Sequence, residues 1–160
     1  MFEIDRPGPQ EWKRQRLLRL GLGIPSYLRL VPVDFEAGDT WWERLAASGF
    51  DSGRPAVVAS TGVSMYLTKN AIVTTLRQVA ALASDSTLVM SFMLPIELLD
   101  AEVRPGVERA AEGARASGTR YRVQRRSTVS ATMLAQRYFA GRTDGLRPPS
   151  NSEELLVATS

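Results

Sequence analysis

Short apolar runs alternate along this chain with longer polar segments, and this alternation limits the folds open to it. Four of the runs read FEI, LRLVPV, PAVVAS and TLVMSFML. Each has the length of a strand, and the segments between them are long enough for a helix. Strands that alternate with helices form βαβ units with right-handed crossovers and a mainly parallel sheet. The sequence therefore predicts an α/β fold in a single domain over residues 1–160.

The segment between the first two runs predicts an amphipathic helix. Trp12, Leu17 and Leu20 lie near one helical face, which is typical of a helix that packs against a sheet. Gly21 or Gly23 is expected to end this helix, because glycine adopts the left-handed conformation that follows many helices.

The clearest helical pattern follows the third run. Apolar residues recur at Ile72, Leu76, Val79 and Leu82, and Thr68 precedes them as a candidate N-cap. The run itself, PAVVAST, is continuously apolar, which is typical of a strand in a parallel sheet that is covered on both faces.

The remaining elements are predicted from shorter patterns. DTWWERLAASGF predicts a short helix with Asp39 or Thr40 as its N-cap. Two later helices are expected in VRPGVERAAEGARASG and SATMLAQRYFAG, with an extended piece, YRVQRRSTV, between them. EELLVAT is expected to end the chain as a strand.

Two residue types are absent from the sequence, and each absence excludes a class of chemistry. Without cysteine there is no disulfide, no thiolate metal site and no thiol nucleophile. Without histidine, Ser-His-Asp catalysis and imidazole-ligated zinc are excluded as well. Any chemistry must therefore run on carboxylates, hydroxyls, arginines or a bound cofactor.

The hydropathy pattern gives no sign of a membrane protein. No apolar run approaches the ~20 residues that span a bilayer, and the N-terminus lacks a basic segment followed by an apolar core. We therefore expect a cytoplasmic protein without a membrane partner.

Three predicted strands end in a polar or flexible signal. Asp5 follows FEI, Asp34 follows LVPV, and Thr61 with Gly62 follows VVAS. Ligands of parallel α/β sheets bind beyond the carboxyl ends of the strands, so these residues are candidates for a binding site. Asp5 has an alternative interpretation, in which it only caps the helix that follows.

The same stretches resemble one family. FEIDRP, then VPVDF, then STGVSMYL occur in the order and spacing of the leucine carboxyl methyltransferase-like family, and RYFAGRTDGLRPPSNSEELLVAT is similar to its C-terminus. The resemblance covers nearly the whole chain and is closest to the actinobacterial S-adenosylmethionine-dependent methyltransferases of that family. It implies a class I methyltransferase-type (Rossmann-like) three-layer sandwich.

The resemblance also implies roles for three residues. Asp5 would accept hydrogen bonds from the ribose hydroxyls of S-adenosylmethionine, as acids do in dinucleotide-binding folds. Asp34 would accept from the exocyclic amine of adenine, and Phe35 would offer a backbone N–H and an apolar wall to the ring. The methyl acceptor would be a small molecule or would bear a carboxylate. No catalytic residue and no general base is identified.

The chain departs from the family pattern at its start. Family members carry an upstream strand and a glycine-rich loop that approaches the methionine half of the cofactor, and no such loop precedes Phe2. Many relatives also have Glu where this chain has Thr61. We therefore expect a truncated member whose sheet lacks its central strand. Such a chain would be marginally stable or prone to aggregation, and would bind S-adenosylmethionine weakly.

A second hypothesis comes from another class of function. Arg120, Arg122, Arg125 and Arg126 form a dense basic cluster. A non-catalytic α/β module could use these arginines to bind nucleic acid or an acidic partner.

Overall fold

The computed structural model describes residues 1–35, 41–94, 96–116, 118, 143–146 and 153–159. The chain divides into two compact units, Met1–Ser52 and Gly53–Ser160. Several predictions lie outside the described residues: the caps Asp39 and Thr40, the extended piece YRVQRRSTV, and the helix SATMLAQRYFAG.

The first unit is built on a pair of parallel strands. Its elements, in chain order, are β1 (Phe2–Asp5), α1 (Pro7–Arg19), β2 (Arg29–Pro32) and α2 (Trp41–Ala47). Phe2 lies opposite Arg29, and Asp5 lies opposite Pro32. Pro32 has no N–H to donate, and β2 pairs only with β1 among the described strands, as expected for a proline-containing edge strand.

The predicted apolar face of α1 is wrong. Trp12 and Leu20 are each 61% exposed, and only Leu17 of the three predicted residues is half-buried. The Trp12 ring instead lies under the guanidinium of Arg16, 5.5 Å from its centroid. Gly21 has a φ of +71° just beyond the helix, so the predicted stop is confirmed.

Polar contacts hold α1 against β1. Gln10 is the buried residue of the helix, and its Nε2 donates to the carbonyl oxygen of Glu3 over 3.0 Å. Lys13, close to one turn further along, forms an ion pair with the Glu3 carboxylate. The docked face of α1 is therefore fixed by hydrogen bonding and charge, which apolar periodicity does not reveal.

Four aromatic rings of the first unit pack against one another. Phe2 of β1 meets Phe50 edge to face, with the ring centroids 5.5 Å apart. Trp42 packs edge-on against Phe50 at 6.2 Å and against Trp41 at 5.5 Å. These contacts tie α2 and the residues after it to β1, and each edge-to-face pair stabilises the unit beyond its area of burial.

The second unit contains a mixed sheet. Its elements are β3 (Val57–Ser60), α3 (Lys69–Ala80), β4 (Thr87–Met93), α4 (Arg104–Ala116), β5 (Thr143–Leu146) and β6 (Glu153–Thr159), with 3₁₀ turns at Ser64–Tyr66 and Ile96–Leu98. The strand order is β3-β4-β6-β5. β3 and β4 are parallel, whereas β6 is antiparallel to both of its neighbours. With one parallel and one mixed sheet alternating with helices, the structure is α/β, as predicted.

The core of the second unit follows the predicted helix pattern. Ile72, Leu76, Val79 and Leu82 are all buried. The Thr68 hydroxyl oxygen accepts a hydrogen bond from the backbone N–H of Ala71 over 3.2 Å, so the predicted N-cap is also confirmed. The apolar face of α3 is therefore continuous with the buried interior of the unit.

β3 is less covered than its sequence predicts. Val57 is 79% exposed and Ala59 is exposed, while Val58 and Ser60 are half-buried. Among the described strands β3 pairs only with β4, and no described element of the second unit covers the face that carries Val57 and Ala59. The prediction that PAVVAST is covered on both faces is therefore wrong for the described structure.

An exposed apolar edge strand is a template for association. We expect Val57→Lys to reduce aggregation on heating, measured by light scattering, because a charge on an edge strand disfavours pairing with another chain. The free energy of unfolding should change by less than about 0.5 kcal/mol, because the side chain is largely in solvent. Val58→Lys places the same charge on the half-buried face and should destabilise the fold. Unchanged aggregation of Val57→Lys would show that this edge is not the route of association.

The N-cap of α3 gives a second expected outcome. Thr68→Ala should lower the free energy of unfolding by about 1 kcal/mol, because the N–H of Ala71 loses its acceptor. Urea denaturation measures this change. Thr74→Ala removes the same groups from an exposed position within the helix, where alanine is slightly favourable. Equal losses in both variants would contradict a capping role for Thr68.

Candidate functional site

The parallel pairing of β1 with β2 brings the two predicted acids to one edge of a sheet. Asp5 is the last residue of β1, and Asp34 follows the end of β2 by two residues. The ladder continues one step past the strand, because Val33 N–H donates to the Asp5 carbonyl oxygen over 2.9 Å. Asp5 and Asp34 therefore both stand at the carboxyl edge of this two-stranded sheet.

The contacts of Asp5 differ from those of a helix N-cap. Its Oδ1 accepts from the N–H of Arg6 over 2.7 Å, and Arg6 is the N-cap of α1 without a side-chain capping bond. Pro7 and Pro9 have no N–H, so the first turn has few donors that require a cap. Asp5 is exposed, and within the described part of the chain its Oδ2 makes no hydrogen bond or ion pair. One carboxylate oxygen is therefore available to a ligand.

Arg6 lies between the two acids. Its Nε is 3.9 Å from Oδ2 of Asp34, and its side chain is 57% exposed against 35% for Asp34. An ion pair this long and this exposed stabilises the fold by little, roughly 0–1 kcal/mol. Arg6 partly offsets the charge of the acids while remaining displaceable. Sequence reasoning missed it because one arginine after a strand carries no pattern of its own.

Phe35 follows Asp34 directly and is half-buried. This edge of the sheet therefore carries two carboxylates, a guanidinium and an aromatic ring from consecutive or paired positions. Such a set can accept hydrogen bonds from hydroxyl and amine groups and can cover one face of a flat ring.

The third predicted strand end belongs to the sheet of the second unit. Thr61 and Gly62 follow the last residue of β3, and both are exposed. Gly62 has a φ of +70°, the left-handed region that favours glycine. Its N–H donates to the hydroxyl oxygen of Ser91 over 2.9 Å. Sequence reasoning missed Ser91, although a hydroxyl within the apolar run TLVMSFML was a visible signal.

A strongly perturbed carboxyl occurs elsewhere in the first unit. Two hydrogen bonds from Arg14, 2.8 Å from Nε to Oε2 and 3.0 Å from Nη2 to Oε1, lower the pKa of Glu11 to about 2, and Gln15 adds a third bond. All three residues lie on the exposed surface of α1. This group is a surface cluster on one helix, and it does not mark a binding site.

Metal-ligating residues do not cluster in the part of the chain that the structure describes. No group of three or more Asp, Glu, His or Cys side chains there is arranged to hold an ion. The candidate site is therefore described by its hydrogen-bonding groups alone.

Comparison with known sequences identifies relatives of this chain. Residues 1–80 match the model of the leucine carboxyl methyltransferase family. A protein of Mycolicibacterium paratuberculosis named "Putative S-adenosyl-L-methionine-dependent methyltransferase" is 34% identical over 95 residues. The aligned part is 59% of this chain and 30% of the relative, so the chain spans less than a third of that protein's length.

Solved structures share the fold at lower identity. A DUF574 family protein from Streptomyces avermitilis has a TM-score of 0.62 and 18% identity to this chain. The alignment covers 99% of this chain and 64% of the Streptomyces protein. An O-methyltransferase family protein from Burkholderia thailandensis has a TM-score of 0.60 and 14% identity to this chain. The alignment covers 99% of this chain and 43% of the Burkholderia protein. These likenesses support the class I methyltransferase-type fold predicted from the sequence.

The family model covers half of the chain, and its matched part contains β1, β2 and both acids of the candidate site. The chain belongs to the leucine carboxyl methyltransferase family.

Proposed function

We propose that this chain supplies the adenosine-binding part of an S-adenosylmethionine-dependent methyltransferase. The observation that carries the proposal is the placement of Asp5 and Asp34 at the carboxyl ends of two strands that pair in register. Ligands of α/β sheets bind beyond this edge, and acids there accept hydrogen bonds from ribose hydroxyls.

The side chains at this edge fit the adenosine half of the cofactor. Ribose hydroxyls need acceptors, and the exposed carboxylate of Asp5 has an oxygen that no described group uses. The exocyclic amine of adenine is a donor, which suits the carboxylate of Asp34. Phe35 is half-buried and can cover part of the adenine ring. When bound, S-adenosylmethionine supplies an activated methyl group on its sulfonium.

We propose an oxygen nucleophile as the acceptor, on a small molecule or as a carboxylate. The family carries carboxyl methyltransferase in its name, and one structural neighbour is named as an O-methyltransferase family protein. Because the sulfonium is already a good leaving group, the protein would act chiefly by holding the reacting groups in line. No side chain is assigned as a general base.

The location of the protein stays a prediction. Among the described helices, none has the length and apolar character needed to cross a membrane. A cytoplasmic protein is what we propose from the sequence.

The nucleic-acid hypothesis gains no support. Its arginines, Arg120, Arg122, Arg125 and Arg126, lie outside the described residues. The relatives and structural neighbours reported above carry the names of methyltransferases or of a domain family without a stated function. We therefore do not propose it.

The acids give the test of this function. Asp5→Asn and Asp34→Asn should each weaken binding of S-adenosylhomocysteine by about 1–3 kcal/mol, or roughly 5- to 150-fold in Kd, because each exchange replaces a charged acceptor with a poorer one. Titration of the ¹⁵N-labelled chain, followed by NMR, measures binding even in the millimolar range. The amides of Arg6 and Phe35 should shift in the parent.

Asp51→Asn is the matched control, because Asp51 is an exposed acid of the same unit outside the site. It should bind S-adenosylhomocysteine like the parent. All three variants should keep the melting temperature of the parent within a few degrees. Equal binding by the parent, Asp5→Asn and Asp34→Asn would show that these acids do not hold the cofactor. A parent without any shift on titration would contradict the proposed function itself.

A further inference from the structure

Exposed apolar side chains of the first unit gather between the end of α1 and the start of β2. Leu18, in the last turn of α1, is 46% exposed. Beyond the helix, Leu20 is 61% exposed, and Leu22 and Tyr27 are each 66% exposed. Single exposed apolar residues are ordinary on a protein surface, whereas a group of them marks an interaction site. These four residues form the apolar end of the unit.

The topology of the unit places the apolar end opposite the two acids. β1 and β2 are parallel, so α1 carries the chain from the carboxyl edge of the sheet back to its amino edge. Asp5 and Asp34 stand at the carboxyl edge. Leu20 and Leu22 follow α1, and Tyr27 shortly precedes β2, at the amino edge. The unit is therefore acidic at one edge and apolar at the other.

The backbone at the end of α1 is ordered by hydrogen bonds. Gly21 N–H donates to the Leu18 carbonyl, and Leu22 N–H donates to the Leu17 carbonyl, each over 3.0 Å. This pairing is typical of a helix that ends at a left-handed glycine, where the residue after the glycine often packs back on the helix. Leu22 is instead exposed. The leucines are thus held outward by a defined backbone.

Two arginines beside the apolar end form no ion pair within the described part of the chain. Arg16 and Arg19 stand in the last turn of α1, and both are exposed. The Arg16 guanidinium lies over the Trp12 ring, and Arg19 Nε donates to the Gln15 carbonyl over 3.4 Å. The last turn of α1 therefore combines uncompensated positive charge with exposed apolar surface.

We propose that this end of the first unit binds the surface of an anionic phospholipid membrane. Its leucines and tyrosine enter the boundary between headgroups and acyl chains, while its arginines meet the lipid phosphates. The acidic carboxyl edge of the sheet then points away from the negative surface, which favours this orientation. The inference is independent of the proposed function, because Asp5 and Asp34 take no part in the contact.

The chemistry of this end favours lipid over a macromolecular partner. The exposed apolar residues are mostly leucines, which gain little from the phosphates and stacked bases of nucleic acid. The aromatic ring beside the arginines, Trp12, already carries Arg16 on one face. A peptide partner is commonly received in a groove, whereas these side chains project from the end of a helix.

A surface contact differs from the membrane role that the sequence excludes. The expectation of no membrane partner came from the lack of an apolar run that spans a bilayer. Binding at the surface needs no such run. A cytoplasmic location suits the inference, because the cytoplasmic leaflet of a membrane carries anionic lipid.

Vesicle flotation tests the inference with the full chain. One set of vesicles contains equal parts of phosphatidylserine and phosphatidylcholine, and the other contains phosphatidylcholine alone. Protein bound to lipid rises through a density gradient, whereas aggregated protein sinks. The parent should float with the anionic vesicles, should bind the neutral ones at least about fivefold more weakly, and should be released as salt rises.

Paired exchanges locate the contact. Arg16→Gln with Arg19→Gln should weaken binding to the anionic vesicles at least about tenfold, because each basic residue near such a surface contributes roughly fivefold. Leu20→Ser with Leu22→Ser should weaken binding at least about tenfold as well, because the apolar contact is lost. Both double variants should keep the melting temperature of the parent within a few degrees, since the exchanged side chains are exposed.

The second unit provides matched controls. Arg109→Gln with Arg115→Gln changes the net charge equally, at exposed positions of α4. Val57→Ser exchanges an apolar side chain that is at least as exposed as the leucines. Both controls should bind the anionic vesicles within about twofold of the parent, because they lie outside the proposed contact.

Contrary outcomes overturn the inference. A parent that does not float with anionic vesicles would contradict membrane binding, and a loss confined to the arginine variant would contradict insertion of the leucines. Equal losses in variants and controls would reduce the effect to net charge or general hydrophobicity. Without vesicle binding, salt-sensitive binding of a single-stranded oligonucleotide would assign the arginines to nucleic acid. A dimer that the leucine exchange abolishes, seen by sedimentation velocity, would then assign the leucines to a second copy of the chain.

Discussion

The register between β1 and β2 is the constraint on which the candidate site depends. Because side chains alternate along a strand, a slip of one residue would turn the acid of one strand to the opposite face. The bond from Val33 N–H to the Asp5 carbonyl carries the pairing past the end of the strands. Asp34 therefore emerges beside Arg6, whose backbone N–H already donates a hydrogen bond to the Asp5 carboxylate. The polar edge is a product of backbone pairing more than of side-chain packing.

Much of the fold could be predicted because its signals are local. Asp and Pro end the first two strands abruptly, and α3 carries a regular apolar face with a threonine before it. The packing of α1 could not be predicted, because Gln10 and Lys13 dock it through polar bonds to Glu3. The cover of β3 depends on its neighbours in space, and β5 has no apolar pattern at all. Such features depend on tertiary context, which overrides local preference.

The candidate site residues also divide into those with a local sequence signal and those whose role depends on tertiary contacts. The position of Asp5 and Asp34 at one edge of a sheet was predictable, since each stands directly after an apolar run, and a parallel sheet brings such positions to one edge. Arg6 was not predictable, and Ser91 was visible only as a hydroxyl within an apolar run. The importance of both lies in the groups they contact: Arg6 Nε is 3.9 Å from Asp34 Oδ2, and the Ser91 hydroxyl is 2.9 Å from Gly62 N. A sequence pattern locates the ends of strands, but not the side chains that hold those ends in place.

The double attachment of Asp5 has a consequence for the entropy of binding. Its carbonyl is tied into the ladder by Val33, and its Oδ1 is tied to the N–H of Arg6, so both backbone and side chain are ordered before any ligand arrives. Immobilising a mobile side chain on association costs about 0.5–1.5 kcal/mol. For Asp5 this side-chain entropy is lost when the chain folds. A ligand hydroxyl that binds Oδ2 therefore meets a carboxylate whose orientation is already fixed.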